Sequence, residues 1–498
     1  MKKILLAAAI FSIFSFQFST LKAQQPDAVF KLLRYEWTLN ADGTSDYHYR
    51  HEVQIERNRA LTAYADKGET FVVYNPDLEE LTVNEVYTVR PDGSRVEMPQ
   101  NAFIYQLPSE CADCGRFNHM RELAMVHTGM EIGCTIVVDY TLHRKYNLLY
   151  ESIPLQRECP VEKMEIVVDN RMNGMEVSFD TLGKDYLAPL GLDVRRVGTS
   201  TTYTLRNVPQ APREAYMPED IVPVLRIFNG TPDYTPAFDK APFDNYDIVV
   251  PSTPNQSAHS YVTFLRDYVV DYIHLNDIHP SHLGYTHATP AQVWASGCGT
   301  PTDKAVLLAA ILNNEGYVAR VIGGGSDMVG VMIDTVEYLL DVRHKTPIEV
   351  NGEARDEVTP CRIEQTMENM PPLDSIDGSF YRFAIQMPQN NVSLPDVRWL
   401  PATRVTPLVA AACDYSDNLS YPLPKGVKLA GPKVEQQLDF PGIGSVKIVI
   451  CQKGKKLLVQ RALVLEKSLV PAKDYPQYRQ LLALWNQYAT YQPLLRKK

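Results

Sequence analysis

The stretch GCGTPTDKAVLLAAILNNEGYVARVI, Gly297 to Ile322, sets the fold of the middle of the chain. A helix is expected to start near Thr300, because Pro301 suits the first helical position and Asp303 favours the positive end of the helix dipole. Gly316 stops it, and Tyr317 to Ile322 then reads as a strand. Upstream, Ser260 to Ile273 spaces Leu265, Tyr268, Val269, Tyr272 and Ile273 along one helical face. Downstream, Val329 to Asp341 reads as a second strand, separated from the first by GGGSD. A helix feeding a short antiparallel sheet is an α+β core, here bounded at 256–347.

The flanking regions carry strand periodicity. LTVNEVYTVR, TIVVDYTLH, KMEIVVDN and STTYTLRNV alternate between turn signals such as Ala41–Gly43 and Pro91–Gly93, which predicts an N-terminal β-sandwich over 24–230. Prolines at 209, 212, 218, 223, 232, 236, 242, 251 and 254 predict a connector reaching to about 255. From 348 to 498, LPKGVKL, GSVKIVICQ and KKLLVQRALVL predict a C-terminal β domain. Lys453-Gly454 is its hairpin turn, and a closing helix from Tyr475 is capped by Asp474.

Composition narrows the class. A chain of 498 residues with 45% hydrophobic content can bury several cores, and three domains are expected. Residues 1–23 have a basic start, an apolar run and a small residue at Ala23, the pattern of a signal peptide, so a periplasmic or secreted location is expected. Removing them takes away Lys2, Lys3 and Lys22 and leaves 46 basic against 59 acidic residues, a balance of −13. That disfavours a nucleic-acid partner. No later segment is apolar enough for a transmembrane helix. Eight cysteines are too few for a small cross-linked scaffold. Cys134 and Cys451 lie in apolar runs and read as buried thiols. Cys111 and Cys114, in the loop PSECADCG, form a CxxC that suits a tight disulfide, a redox pair or half of a zinc site. No second ligand pair stands at a suitable spacing, so a possible disulfide is the expected role, with no metal and no cofactor.

Taken together, RPDGSRVEMP, HTGMEIGCTIVVDY, GTPTDKAVLLAAILNNEGYVARV, VMIDTVEYLLDV and YPLPKGVKL resemble, in order and spacing, an exported family common among Bacteroidetes. That family joins a domain of unknown function, DUF3857, to a transglutaminase-like core and a C-terminal β domain. The resemblance implies a papain-like core whose active members use cysteine, histidine and aspartate for acyl transfer. The family's pattern Gly-x-Cys-x-(Asp/Glu)-Lys-Ala, laid on Gly299 to Ala305, puts Pro301 in the cysteine slot. The histidine slot falls on Met328 and the aspartate slot on Asp341. Proline cannot attack a carbonyl and methionine cannot take a proton, so a degenerate core that binds peptide or protein in the cell envelope is expected. The alternative is an active cysteine peptidase, amidase or transglutaminase. It would use Cys298 as nucleophile and His344, or one of His274, His279, His282 and His287, as base. The spacing of those four histidines matches no short metal motif.

Overall fold

The computed structural model describes residues 26–63, 70–183, 188–218, 221–232, 257–322, 327–346, 349–350, 360–386 and 394–497. The expected leader at 1–23, the connector from 233 to 256 and the run at 323–326 lie outside them. The chain divides into two compact units, one of residues 1–211 with 223–351, the other of 212–222 with 352–498. It is mostly β, in several sheets, as the alternation predicts.

In the first unit β1 (Ala28–Leu39), β2 (Ser45–Ile55), β3 (Glu79–Val89), β4 (Arg95–Glu97), β5 (Thr135–Arg144), β6 (Val161–Asn170), β7 (Asp193–Val197) and β8 (Ser200–Val208) form one sheet. Its order is β7-β8-β6-β1-β2-β5-β3-β4. Neighbours are antiparallel except β1 and β6. Period-two alternation gives the sheet two faces: along β2, Tyr47, Tyr49, Val53 and Ile55 join the apolar clusters while Arg50 and Glu52 pair with each other. Two three-stranded sheets pack on the apolar face. Tyr150–Pro154, Val224–Phe228 and Ser178–Leu182 bring Ile153, Leu225 and Ile227 against Phe30, Leu33, Trp37 and Ile166. Phe71–Tyr74, Arg121–Met125 and Phe103–Gln106 bring Val72, Leu123 and Met125 against Val138, Tyr140 and Leu142. Val224–Phe228 corrects the connector reading, because the residues VLRIF between Pro223 and Pro232 are free of proline and pair on both edges.

The core follows. α1 (Ala258–Tyr272) is capped by Ser257, α2 (Pro290–Ser296) by Thr289, and α3 (Pro301–Asn314) by Thr300. Every residue of α3 from Pro301 to Leu312 is buried, as expected of a helix wrapped on all sides. Leu307, Leu308 and Ile311 pack with Val262, Leu265 and Val269 of α1 and with Val329, Val331 and Leu340 of the sheet. That sheet is β9 (Val318–Val321), β10 (Met328–Ile333) and β11 (Val336–Asp341), with the two-residue strand Glu349–Val350 beside β11, in sequence order and antiparallel. The single strand expected at Val329 to Asp341 is thus a hairpin. Asp334 has φ +56° and turns the chain so that Ile333 faces Val336, a conformation aspartate tolerates better than most residues.

The second unit is built on a sheet of β12 (Cys361–Thr366), β13 (Cys413–Pro422), β14 (Val434–Phe440), β15 (Gly444–Lys453) and β16 (Lys456–Leu465), in the order β12-β13-β16-β15-β14, with a four-stranded and a two-stranded sheet beside it. The hairpin turn falls at Gly454-Lys455, one residue beyond the expected place, with Gly454 at φ +62°. The closing helix α4 (Tyr475–Gln487) buries Tyr478, Leu481, Leu482 and Trp485. Asp474 does not cap it through its side chain; the carboxylate faces Lys467 instead. Residues 212–222 belong here because the Glu214 carboxylate accepts from the backbone N–H of Val405 and Thr406, and Tyr216 from that of Val409. Among the described residues no helix is long and apolar enough to cross a membrane.

On the polar face of the large sheet, His48 lies between Asp139 (2.7 Å) and Glu36 (3.5 Å). The bonds to these carboxylates raise the imidazole pKa to about 9. Burial pushes Asp139 up, but hydrogen bonds from His48, Asn84 and Arg50 outweigh it and leave it at about 2. A raised histidine stabilises the fold fully below its unfolded value, about 6.5, and loses that contribution as pH rises through about 9. Urea unfolding of wild type and His48→Gln at a series of pH values should show the largest stability gap at pH ~5–6.5 and a vanishing gap above pH ~9.5.

Candidate functional site

The N-terminus of α3 is built around one carboxylate. Thr300 and Asp303 form a capping box: the Thr300 hydroxyl accepts from the Asp303 N–H (3.1 Å), and Asp303 Oδ2 accepts from the Thr300 N–H (3.0 Å). Asp303 Oδ1 takes the Ala288 N–H at 2.7 Å, which ties down the start of α2. Arg116 Nη2 reaches Asp303 Oδ2 at 3.1 Å from a loop of the β domain, while its Nη1 donates to the Cys298 carbonyl. Gly299 is required beside it, because a Cβ there would come within 2.8 Å of the Asp303 Cβ. Lys304, 1% exposed, donates from Nζ to the carbonyls of Val270 (3.2 Å) and Ile273 (3.0 Å) at the end of α1. Burial lowers its pKa to about 8.

The cysteines pair differently from the expectation. Cys114 is bonded to Cys298, and Cys111 is a free, buried thiol whose pKa burial pushes up to about 11. The Cys111–Cys114 bridge is therefore corrected: the partner comes from 184 residues along the chain, where the loop carrying Cys114 packs on the strand Cys298–Gly299. Asn276 reinforces the junction by donating to the carbonyls of Glu110 (2.9 Å) and Ala112 (3.3 Å). Cys298 is 2% exposed and its sulfur is held in this bond, so it presents no thiolate.

The other named residues are scattered. Pro301 is the first residue of α3. Met328 and Asp341 are cross-strand partners at the open end of the β10–β11 hairpin. The Asp341 carboxylate accepts from the backbone of Arg343 (2.7 Å) and His344 (3.2 Å), and His344 Nδ1 lies 3.1 Å from it. His274 sits in the two-residue parallel bridge with Cys298. His279 caps the turn Pro280–Leu283, His282 donates to Glu79 (2.9 Å), and His287 faces the Ala288 carbonyl. Among the described residues no group of histidine, cysteine and carboxylate side chains is arranged to hold a metal ion.

A cleft of about 410 Å³ opens at the start of α3, lined by Tyr150, Ser152, Asp277, His279, Pro301 and Arg343 among others. Pro301 lines it, whereas Cys298, Met328 and Asp341 do not. Arg343 spans it from the core, bonded to Asp277 (2.9 Å) and Asp327 (2.7 Å). Sequence reasoning did not find Arg116 or Asn276, because their partners lie more than 160 residues away and leave no local pattern.

Removing the Asp303 carboxylate strands the Arg116 cation and two backbone donors. Asp303→Ala is expected to cost about 3–5 kcal/mol in chemical unfolding, the range for breaking a buried pair on one side. Asp303→Asn should cost less, because its amide oxygen can still accept.

The comparisons with known proteins bear on the fold. Residues 41–184 match the domain of unknown function DUF3857, and residues 381–495 match DUF3858. No curated protein matches the chain. The crystal structure of a "putative protease" from Parabacteroides distasonis superposes with a TM-score of 0.71 at 23% identity, covering 94% of this chain and 99% of that one. This shows a shared fold. An M1 zinc metallopeptidase from Deinococcus radiodurans aligns over 58% of this chain and 64% of its own at 9% identity, and its TM-score of 0.19 carries no argument. The chain thus carries a DUF3857 region and a DUF3858 region in one polypeptide, on either side of the helix-and-hairpin core.

Proposed function

We propose that this is an exported envelope protein whose core is a transglutaminase-like scaffold without its nucleophile and base, and that the cleft at Pro301 holds an extended peptide or protein segment. The observation that carries the reading is the state of the sulfur. The slot at the helix N-terminus holds a proline, and Cys298, the cysteine that precedes it in the chain, is bonded to Cys114. Acyl transfer through sulfur needs a thiolate beside a base, and here the sulfur atom has neither a proton to lose nor a free valence. The register of Met328 against Asp341 supports the scaffold reading, since the resemblance assigns base and orienter to slots that prove to be cross-strand neighbours.

The cleft suits main-chain recognition. Tyr150 offers an aromatic wall, while Asp277 and Arg343 offer an acceptor and a donor fork at the mouth. The bond between the β-domain loop and Cys298 holds one edge of the core rigid, which lowers the ordering cost of binding.

Two measurements test the reading. A thiol-directed acylating probe is expected to leave Cys298 unlabelled in the oxidised protein, and peptide substrates should not turn over. Labelling of Cys298 accompanied by turnover that disappears in Cys298→Ala would show an enzyme instead. A library of fluorescent extended peptides should give binders that Asp277→Lys weakens at least about tenfold, a change of ~1.4 kcal/mol. Export is checked by N-terminal sequencing of the periplasmic fraction, where the mature chain should begin at Gln24.

A further inference from the structure

The large sheet of the first unit is covered by two small sheets, and the aromatic face between them is not filled. Tyr35, Trp37, Tyr47 and Tyr140 form one continuous wall there: Tyr35 and Trp37 are stacked (6.2 Å between centroids), Trp37 and Tyr47 are 5.0 Å apart, and Tyr47 meets Tyr140 edge-on at 6.3 Å. These rings line a cavity of about 320 Å³. That is at the small end of the ~300–1,000 Å³ range of small-molecule sites.

Polar groups also line the cavity, and the Arg144 guanidinium lies over the Tyr47 ring, 5.2 Å from its centroid. Arg144 points in from β5, held by Glu79 (3.0 Å) and close to Glu151 (3.6 Å), and Arg157 and His279 lie at the rim. One polar group in the ring wall lacks a partner: Trp37 is 3% exposed, and its indole N–H has no acceptor among the described residues. A buried donor without an acceptor costs free energy, and a ligand that supplies the acceptor removes that cost.

We infer that this cavity is a binding site for a small neutral saccharide. The occupant must lay an apolar face on the accessible parts of the ring wall, chiefly Tyr35 and Tyr47, and present an oxygen acceptor at the rim of that same face. A pyranose does both, since its C–H face suits the negative ring faces and its hydroxyls surround the ring edge. A purely apolar molecule would leave the Trp37 N–H without an acceptor. A small inorganic anion would leave the rings without contact. The cavity shares Ser152 and His279 with the lining of the cleft at Pro301, but the inference does not depend on the function proposed for that cleft.

Saturation-transfer NMR on the folded protein, with glucose, galactose, N-acetylglucosamine and maltose as probes and free tyrosine and acetate beside them, tests the inference. At least one saccharide should receive saturation, and Trp37→Phe, which keeps a ring and removes the donor, should weaken its affinity about five- to tenfold. If Trp37→Phe does not fold, Arg157→Met at the rim serves in its place, with the same weakening expected. No transfer to any saccharide, transfer to tyrosine or acetate alone, or saccharide binding that the substitution leaves unchanged would overturn it.

Discussion

The carboxylate of Asp303 is the constraint on which the first unit turns. It is fully buried, and it closes the N-terminus of the central helix, fixes the loop before α2 and receives a guanidinium from the β domain. A buried carboxylate is tolerated only when its lone pairs are filled, and here three donors, the N–H groups of Ala288 and Thr300 and Arg116 Nη2, converge on two oxygen atoms. The Cys114–Cys298 bond acts on the same junction by a different route. Closing a loop of 184 residues restricts the unfolded chain, which the chain-entropy account values at about 5 kcal/mol. The hydrogen bonds set the geometry of the junction, and the covalent bond makes its loss costly.

Asp303 and Lys304 belong to a sequence pattern whose members are easily read as catalytic surroundings. Each proves to have a task that any protein with this core would need. Asp303 accepts from backbone donors at the start of α3, and Lys304 satisfies orphan carbonyls at the end of α1, so both helix ends are locked by side chains. The pattern can therefore be intact around a proline, because most of its residues serve the helix rather than the sulfur. Gly299 fits the same account, since it leaves the space that the Asp303 side chain fills.

How much was legible follows from how local each feature is. The start of α3, its length to within two residues and its burial are written in Thr300, Pro301, Asp303 and the apolar run that follows, all within one window. The strands of the β domain are legible through alternation, and the domain family through short ordered strings. The turn at Asp334 was not read, because an aspartate inside VMIDTVEYLLDV interrupts no hydrophobic alternation; its positive φ is a backbone property that the letters only permit. The cysteine pairing was misread for a different reason. CxxC proximity along the chain suggested a bond that folding supersedes, since the loop brings Cys114 to Cys298 and leaves Cys111 behind it. Contacts such as Arg116 with Asp303 arise only from the packing of one domain on another, where sequence separation carries no information.

The passage of residues 212–222 into the second unit makes that unit discontinuous in the chain. During synthesis this segment leaves the ribosome well before the strands it joins, so Glu214 must wait for Val405 and Thr406 while the helix-and-hairpin core between them is still being made. The second unit therefore cannot be completed from the C-terminal part alone, and its folding is tied in time to a stretch of backbone that the first unit encloses in sequence. The topology imposes an order of assembly on two bodies that would otherwise be free to fold independently.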